Sequence, residues 1–261
     1  MKNQNIILDF EDFLNTYENK NYMLNNECIR QLFPLTLVDS LSEKYAYLVG
    51  KIMGDGHLDN KYTLYFISSN KNDLKLLCNL IIRNFKISPY RISIKKRIVK
   101  GVSYLLRVNC AYLGRILYLL GAPKGNKTKT AFDLPKWILA NKILKKRFLQ
   151  ALLEDELTTI KIEKCNYSVC PRLKLAKKEE LIPNLRDFMQ QVKDVIESFG
   201  VQCSHISNPV NGNNTDSLEL YFHINQNKKN IIKFKEEIGF RLNQDKIRKL
   251  DDCYRVLKAT I

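Results

Sequence analysis

The 261-residue sequence lacks the features of several protein classes. No apolar run approaches the roughly 20 residues that a membrane-spanning helix needs. The first residues, MKNQNIILDFEDF, are polar and acidic and do not resemble a signal peptide. Seven cysteines are present without a C-x-x-C pair, which indicates reduced core thiols. We therefore expect a cytoplasmic protein that does not associate with membranes.

Histidine is also scarce, with three residues in the chain. A zinc site formed by Cys165, Cys170 and His205 is an alternative that no ligand spacing supports. Acidic residues are outnumbered, because 43 Lys and Arg stand against 27 Asp and Glu, for a net charge of +16. This surplus indicates a polyanionic partner. Nucleic acid and an anionic membrane surface are the two candidates, and the absence of a long apolar run makes the membrane the weaker one. A general bias towards lysine is the alternative explanation.

One order of elements occurs twice in the chain: helix, strand, strand, helix, strand, strand, helix. The first copy starts with a helix at SEKYAYLVGKIMGDG, with Ser42 as its predicted N-cap, and the second starts at ILKKRFLQALLEDEL. In the second copy, IKIEK, PRLKLAKK, VQCSHIS and DSLELYFHI are predicted strands. The period is about 100 residues and predicts a pseudo-twofold molecule. The predicted segments are an N-terminal extension (1–42), a first half (43–121), a linker rich in Gly, Pro and Lys (122–141), a second half (142–240) and a helical tail (241–261).

The first helix of each copy carries a nine-residue motif. Leu48–Gly56 reads LVGKIMGDG, and Leu149–Leu157 reads LQALLEDEL at the matching place. Both resemble the LAGLIDADG motif, and the segments GAPKG (121–125) and LPKWI (134–138) are similar to linkers of single-chain members. The chain thus resembles the LAGLIDADG homing endonucleases over about residues 44–240. The resemblance implies an α+β fold of two αββαββα halves with two antiparallel DNA-binding sheets.

The resemblance also implies a site where the two motif helices meet. Gly50 and Gly54 lie one turn apart on one helix face, so a second helix can approach closely. The family packs its motif helices in this way, and we expect Gly50 and Gly54 to lie near Ala151. Each helix then ends in a catalytic carboxylate, Asp55 in the first motif and Glu156 in the second. Together with the Gly54 carbonyl and Asp155, these carboxylates are the expected ligands of Mg²⁺ or Mn²⁺.

The second motif departs from the family pattern. Asp155 replaces the small residue expected at the helix contact, Leu157 replaces the terminal glycine, and Gln150 also blurs the motif. The run Glu154–Glu156 adds repulsion between carboxylates unless a metal or a lysine compensates. A shift by one residue would make Asp155 the ligand. We favour Glu156, because this register keeps apolar residues at the expected positions.

Alternation along the predicted strands places polar and basic side chains on one face. Such a face can lie in the major groove of DNA, although a solvated sheet alternates in the same way. Three lysines of the linker are expected to contact phosphates rather than bases: Lys124, Lys127 and Lys129. The other expected DNA contacts are Lys61, Arg91, Ser93, Lys95, Arg97, Ser103, Arg107, Asn109, Lys161, Arg172, Lys174, Tyr221 and His223.

The resemblance implies a monomeric, metal-dependent endonuclease that cuts both strands of a specific double-stranded DNA site. Two other functions on the same fold are alternatives. One is an intron splicing maturase, whose partner is intron RNA, and the other is a DNA-binding protein that has lost cleavage. The degenerate second motif favours these alternatives more than a perfect motif would. The target and the genetic setting, whether intron, intein or free gene, do not follow from the residues.

Overall fold

The computed structural model describes residues 5–98, 101–158, 160, 162–163, 166–167, 171–212 and 216–259. The predicted DNA contact Lys161 and the zinc candidates Cys165 and Cys170 lie outside these residues. The chain forms two compact units. Unit 1 comprises Met1–Gly125 and Pro135–Arg147, and unit 2 comprises Asn126–Leu134 and Phe148–Ile261. The segment predicted as a linker is therefore divided between the two units.

Unit 1 contains the predicted αββαββα order, preceded by small elements. Its strands are β1 (Ile6–Leu8), β2 (Leu35–Thr36), β3 (His57–Leu58), β4 (Leu64–Ser68), β5 (Ile92–Ile98) and β6 (Val102–Val108). Its helices are α1 (Phe10–Leu14), α2 (Asn21–Leu24), α3 (Glu27–Arg30), α4 (Ser40–Met53), α5 (Lys71–Phe85) and α6 (Ala111–Leu119). No helix among the described residues of the chain is long and apolar enough to cross a membrane.

The main sheet of unit 1 is antiparallel, in the order β3-β4-β6-β5. Its inner face carries buried apolar residues, including Leu64, Phe66 and Leu106. Helix α5 contacts β4 and β6, and it buries Leu74 and Ile81 at helical spacing. The side chains on the other face of β4, β5 and β6 are left for solvent or a partner.

The start of α4 differs from the sequence prediction, and the predicted N-cap Ser42 was wrong. The helix begins at Ser40, after Asp39, and Ser42 lies inside it as a buried residue whose hydroxyl donates to the Thr36 carbonyl. The Asp39 carboxylate accepts from the Thr36 N–H at 2.8 Å and from the Thr36 hydroxyl at 2.7 Å. This turn brings the chain into the helix earlier than the Ser42 pattern indicates.

Residues 5–36 have a small core of their own. Strands β1 and β2 pair antiparallel, and the segment also contains the short helices α1 and α3. The Phe13 side chain is fully buried, with ring centroids of Phe33 and Tyr17 at 5.1 and 5.3 Å. The Arg115 guanidinium of α6 stacks on the Tyr17 ring at 4.2 Å. The N-terminal segment is therefore packed against the first half rather than extended from it.

Unit 2 repeats the pattern with one added hairpin. Its strands are β7 (Ile162–Glu163), β8 (Asn166–Tyr167), β9 (Arg172–Lys177), β10 (Val210–Asn211) and β11 (Leu218–His223). Its helices are α8 (Ile182–Glu197), α9 (Lys228–Glu237) and α10 (Gln244–Ala259), and the unit boundary falls within α7 (Lys142–Glu156). The main sheet has the order β10-β11-β9, and a separate hairpin joins β7 to β8.

The segment VQCSHIS was predicted as a strand, and that prediction was wrong. Among residues 201–207 the structure has one isolated bridge, from Cys203 to Ile224. The segment follows β11, but the hydroxyl oxygens of Ser204 and Ser207 accept from the N–H groups of His223 and Tyr221, at 2.9 and 3.1 Å. Serine side chains therefore replace backbone carbonyls as partners of β11, which interrupts a regular ladder.

A charged residue lies on the inner face of the second sheet. Lys177, at the end of β9, is buried, and its ammonium group donates to the Thr130 carbonyl and lies 3.7 Å from the Phe132 ring centroid. Burial, together with a smaller effect of the nearby charge of Lys127, lowers the pKa of Lys177 to about 8. This lysine joins residues 126–134 to the second half.

Candidate active site and nucleic-acid interface

The first motif places Asp55 at a tight helix end. The Gly54 N–H donates to the Gly50 carbonyl at 2.9 Å, and the Gly56 N–H donates to the Lys51 carbonyl at 2.8 Å. A Cβ atom at Gly56 would lie 2.5 Å from the Lys51 carbonyl oxygen, so only glycine fits there without a shift. Asp55 lies between these two bonds and is exposed, whereas the helix before it is buried from Tyr45 to Gly50.

The three carboxylates of the second motif differ in burial and in hydrogen bonding. Glu154 is buried, and its carboxylate accepts from the backbone N–H groups of Arg241 and, at 2.6 Å, Leu242. Asp155 and Glu156, which ends α7, are both partly exposed. Glu154 therefore has a structural task, and the candidate ligands of this motif remain Asp155 and Glu156.

The predicted helix contact and the predicted pairing of the carboxylates stay predictions. Gly50, Gly54 and Ala151 are all buried, as a helix contact requires. Gly50 and Asp55 belong to unit 1, whereas Ala151 and Glu156 belong to unit 2. Within each unit, the structure places a carboxylate at the end of the motif helix.

The donor chemistry of each motif end fits Mg²⁺ or Mn²⁺. Asp55 is an exposed carboxylate next to the Gly54 carbonyl, and Asp155 and Glu156 are partly exposed carboxylates. These are the hard oxygen ligands that Mg²⁺ takes together with water. No group of three or more His, Cys, Asp or Glu residues that could hold a metal occurs within the described parts of the chain.

A polar row crosses the outer face of the first sheet. Strand pairing aligns Ser93, Arg107, Tyr65 and His57 from β5 to β3. The Arg107 guanidinium lies 5.9 Å from the Tyr65 ring centroid, and the rings of Tyr65 and His57 are 6.0 Å apart. Arginine, histidine and tyrosine can all donate to base edges or phosphates. The sequence predicts Ser93 and Arg107 as contacts but not His57 or Tyr65. His57 lies on β3, whose two residues show no alternation, and Tyr65 on β4 joins the row only through strand pairing.

The other predicted contacts of unit 1 lie along this face or at its edges. The pairing sets Arg97 opposite Ser103, and Lys95 opposite Leu105, so the face also carries apolar side chains. Arg91 and Asn109 flank the strands and are joined by an N–H to carbonyl bond of 2.8 Å. Lys61 is exposed in the turn before β4.

The second sheet presents a similar set of side chains. His223 pairs with Arg172, and Tyr221 pairs with Lys174. The Arg172 guanidinium lies 5.3 Å from the Tyr221 ring centroid, and the rings of Tyr221 and His223 are 5.5 Å apart. The Lys174 ammonium forms an ion pair with the Glu219 carboxylate at 2.9 Å, which reduces its value as a phosphate contact. Each sheet therefore carries arginine, tyrosine and histidine together on its outer face.

The linker lysines have different surroundings. The Lys124 ammonium lies 4.8 Å from the Tyr62 ring centroid and 4.9 Å from that of Tyr118. Lys127 and Lys129 lie on a single 3-10 turn, and Lys129 is exposed. Lys129 is thus the linker lysine best placed to contact a phosphate in solution.

Similarity to known proteins was found at two levels, although no family model matches the chain. The chain is 34% identical over 204 residues to the DNA-directed RNA polymerase subunit Rpo1N of Methanocaldococcus jannaschii, covering 72% of this chain and 15% of that protein. It is 31% identical over 191 residues to the tRNA-splicing ligase RtcB of Methanopyrus kandleri (67% and 19%). It is 29% identical over 234 residues to the replication factor C small subunit of M. jannaschii (86% and 12%). The chain thus spans less than a fifth of the length of each of these relatives.

Solved structures of a homing endonuclease share the fold. I-DmoI in complex with DNA and Ca superposes with a TM-score of 0.51 at 17% identity, covering 80% of this chain and 98% of that chain. A structure from a study of mesophilic variants of the homing endonuclease I-DmoI gives a TM-score of 0.52 at 17% identity, covering 82% of this chain and 100% of that chain. At this identity the likeness shows the fold, and the α+β architecture that the family resemblance implied is confirmed.

Proposed function

We propose that this protein, which has the fold of the LAGLIDADG homing endonucleases, is a metal-dependent endonuclease that acts as a monomer. It binds double-stranded DNA with the outer faces of its two sheets and cuts both strands of a specific site. The observation that carries the proposal is the repeated arrangement of one accessible carboxylate at the end of each motif helix. The partly exposed Arg-Tyr-His set on each sheet supports a nucleic-acid partner.

The similarity to these relatives supports an activity of this chain that differs from the activities in the relatives' names. Three differently named proteins, a polymerase subunit, an RNA ligase and a replication factor, each match this chain over 12% to 19% of their length. A segment shared by proteins of such different names does not account for what distinguishes them. We therefore expect the function to reside in the segment itself. This is the case for a nuclease whose DNA-binding surface and catalytic carboxylates both lie within one segment.

The proposed function assigns each residue either to metal binding or to DNA binding. Asp55 and Glu156 hold the divalent ion, with the Gly54 carbonyl and Asp155 as further oxygen donors. When bound, Mg²⁺ or Mn²⁺ lowers the pKa of a water and stabilises the leaving 3′-oxygen. Arg107, on an inner strand of the first sheet, and Arg172, on an edge strand of the second, read base edges, and their packing on the rings of Tyr65 and Tyr221 limits their freedom. Lys129 contributes a sequence-independent phosphate contact.

Selection from randomised duplex DNA tests this function. The protein is incubated with the pool and Mg²⁺, and the bound and cut fractions are sequenced separately. We expect one long sequence in both fractions, and we expect Asp55→Asn to bind that sequence without cutting it, because the change removes a metal ligand and leaves the basic faces intact. Binding without cutting by the unmodified protein, in Mg²⁺ and Mn²⁺, would instead favour a cleavage-deficient DNA-binding protein. Preference for a structured RNA over every duplex would favour a maturase.

A further inference from the structure

The second motif helix ends without the glycines that close the first. In α4 the donors to the last carbonyls are backbone N–H groups, including that of Gly56. Leu157 stands at the matching position of the second motif, and it continues into the sheet by pairing with Leu173. The last four carbonyls of a helix need partners from outside it, and a buried carbonyl without one is costly.

Lys246 of α10 supplies a partner for two of these carbonyls in α7 and for the carbonyl of Leu157 directly after the helix. Its side chain is buried, at 9% exposure, and its ammonium group donates to the carbonyls of Leu153, Glu154 and Leu157, at 3.3, 2.7 and 2.5 Å. An ammonium group has three donors, and these three bonds use all of them. The positive charge lies at the C-terminal end of α7, which is the negative end of the helix dipole, and such a position favours a cation.

The helix in turn holds the segment that carries Lys246. The Glu154 carboxylate accepts from the N–H groups of Arg241 and Leu242, and the Gln150 amide donates to the Ile238 carbonyl at 2.8 Å. Gln150 and Glu154 are four residues apart and lie on one face of α7. We call this set the terminal clasp: Gln150, Glu154, Lys246 and the backbone of residues 238–242. The clasp ties the end of α7 to the start of α10 in both directions.

The clasp brackets the proposed metal ligand. Lys246 holds the carbonyls of Glu154 and Leu157, and Glu156 lies between these two residues in the chain. A shift of the last turn of α7 therefore moves Glu156 with it. Resting on the proposed endonuclease function, we propose that Lys246 is a positioning residue, which sets the place of the Glu156 carboxylate by capping α7.

A substitution series on α10 tests this role. Lys246→Met keeps the length of the side chain and removes its three donors, whereas Lys246→Arg keeps the charge with a different geometry. Lys249→Met is the matched control, since Lys249 lies on the same helix but pairs with Asp245, at 2.5 Å. The main readout is the Ca²⁺ affinity of the protein–DNA complex by calorimetry, corrected for DNA alone, which does not require cleavage. The Mg²⁺ concentration for half-maximal cleavage is the second readout.

We expect Lys246→Met to weaken Ca²⁺ binding on the order of tenfold or more, since misplacing a reacting group by about 1 Å can cost a hundredfold. DNA affinity should stay near the unmodified value, Lys246→Arg should recover part of the loss, and Lys249→Met should match the unmodified protein. Hydrogen exchange of the amides of residues 154–157 should accelerate in Lys246→Met alone. Unchanged Ca²⁺ affinity in a folded Lys246→Met protein would overturn the positioning role.

The controls keep this proposal separate from the proposed function. If the unmodified protein cuts no DNA, the endonuclease function fails, and the Ca²⁺ titration still decides whether Lys246 positions a metal ligand. If the unmodified protein binds no Ca²⁺ at all, both proposals fail together. Should Lys246→Met not fold, Gln150→Leu removes one bond of the terminal clasp and leaves the ammonium group in place. A loss of Ca²⁺ affinity in the same direction supports the clasp, and no loss contradicts it.

Discussion

Replacing Gly56 by alanine tests whether the turn after α4 sets the place of Asp55. The added Cβ atom would lie 2.5 Å from the Lys51 carbonyl oxygen, whereas ordinary contacts begin at 3.4 Å. The helix end and the turn must therefore part by about 0.9 Å, and a displacement of this size at a reacting group can cost on the order of a hundredfold in rate. Overpacking of this kind also costs about 1–3 kcal/mol of stability.

The assay compares single-turnover cleavage of the selected duplex with thermal unfolding of the same samples. Gly114→Ala is the matched control, because its Cβ would lie 2.2 Å from the Tyr62 carbonyl oxygen, away from the motif turn. We expect both variants to lose stability and Gly56→Ala alone to lose cleavage per folded molecule, with DNA binding retained. A Gly56→Ala protein that cuts at the unmodified rate would refute the argument that this turn positions Asp55.

Three further predictions concern the second motif, the DNA faces and the inner lysine. Glu156→Gln should abolish cleavage while Asp155→Asn weakens it, and the opposite result in a cleavage assay would place the ligand one residue earlier. Lys129→Ala should lower the slope of log affinity against log salt by about one unit on every duplex, whereas Arg107→Ala should change sequence preference; salt-insensitive binding would contradict a basic DNA face. Because burial lowers the pKa of Lys177 to about 8, from an ordinary value of 10.5, the folded protein binds fewer protons than the unfolded chain between these values. Stability in urea should therefore rise from pH 8 to pH 10.5, and Lys177→Met should flatten this rise.

The fold of the first half was largely predictable because its signals are local. The helix from Lys71 to Phe85 follows its apolar spacing, and the alternation over Ile92–Ile98 and Val102–Val108 reappears as two paired strands. Side-chain periodicity depends on residues a few positions apart, which a sequence displays directly. The sequence motif also predicted the position of Asp55 at the helix end, although the predicted N-cap, Ser42, lies three residues after the observed N-cap, Asp39.

The missed features depend on partners far apart in the chain. The hydroxyl oxygens of Ser204 and Ser207 accept from backbone N–H groups of β11, in place of backbone carbonyls. Strand β11 lies more than ten residues further along the chain, so the alternation of residues 201–207 wrongly predicted a strand. His57 and Tyr65 join the row of Arg107 only through the pairing of β3, β4 and β6. Strand register sets such neighbours, and spacing along the sequence does not reveal it.

The degenerate second motif has a different meaning once its contacts are known. From the sequence, Gln150, Asp155 and Leu157 are departures from the family pattern, and the run Glu154–Glu156 adds repulsion; both weaken the case for a working nuclease. In the structure, Gln150 and Glu154 bond the backbone of residues 238–242, and Lys246 caps the helix that Leu157 continues without glycine. Buried polar groups without partners would cost about 1–3 kcal/mol each. Gln150 and Glu154 are instead paired with one segment of the chain, so their presence in the second motif has a structural cause and is not by itself a sign of lost cleavage.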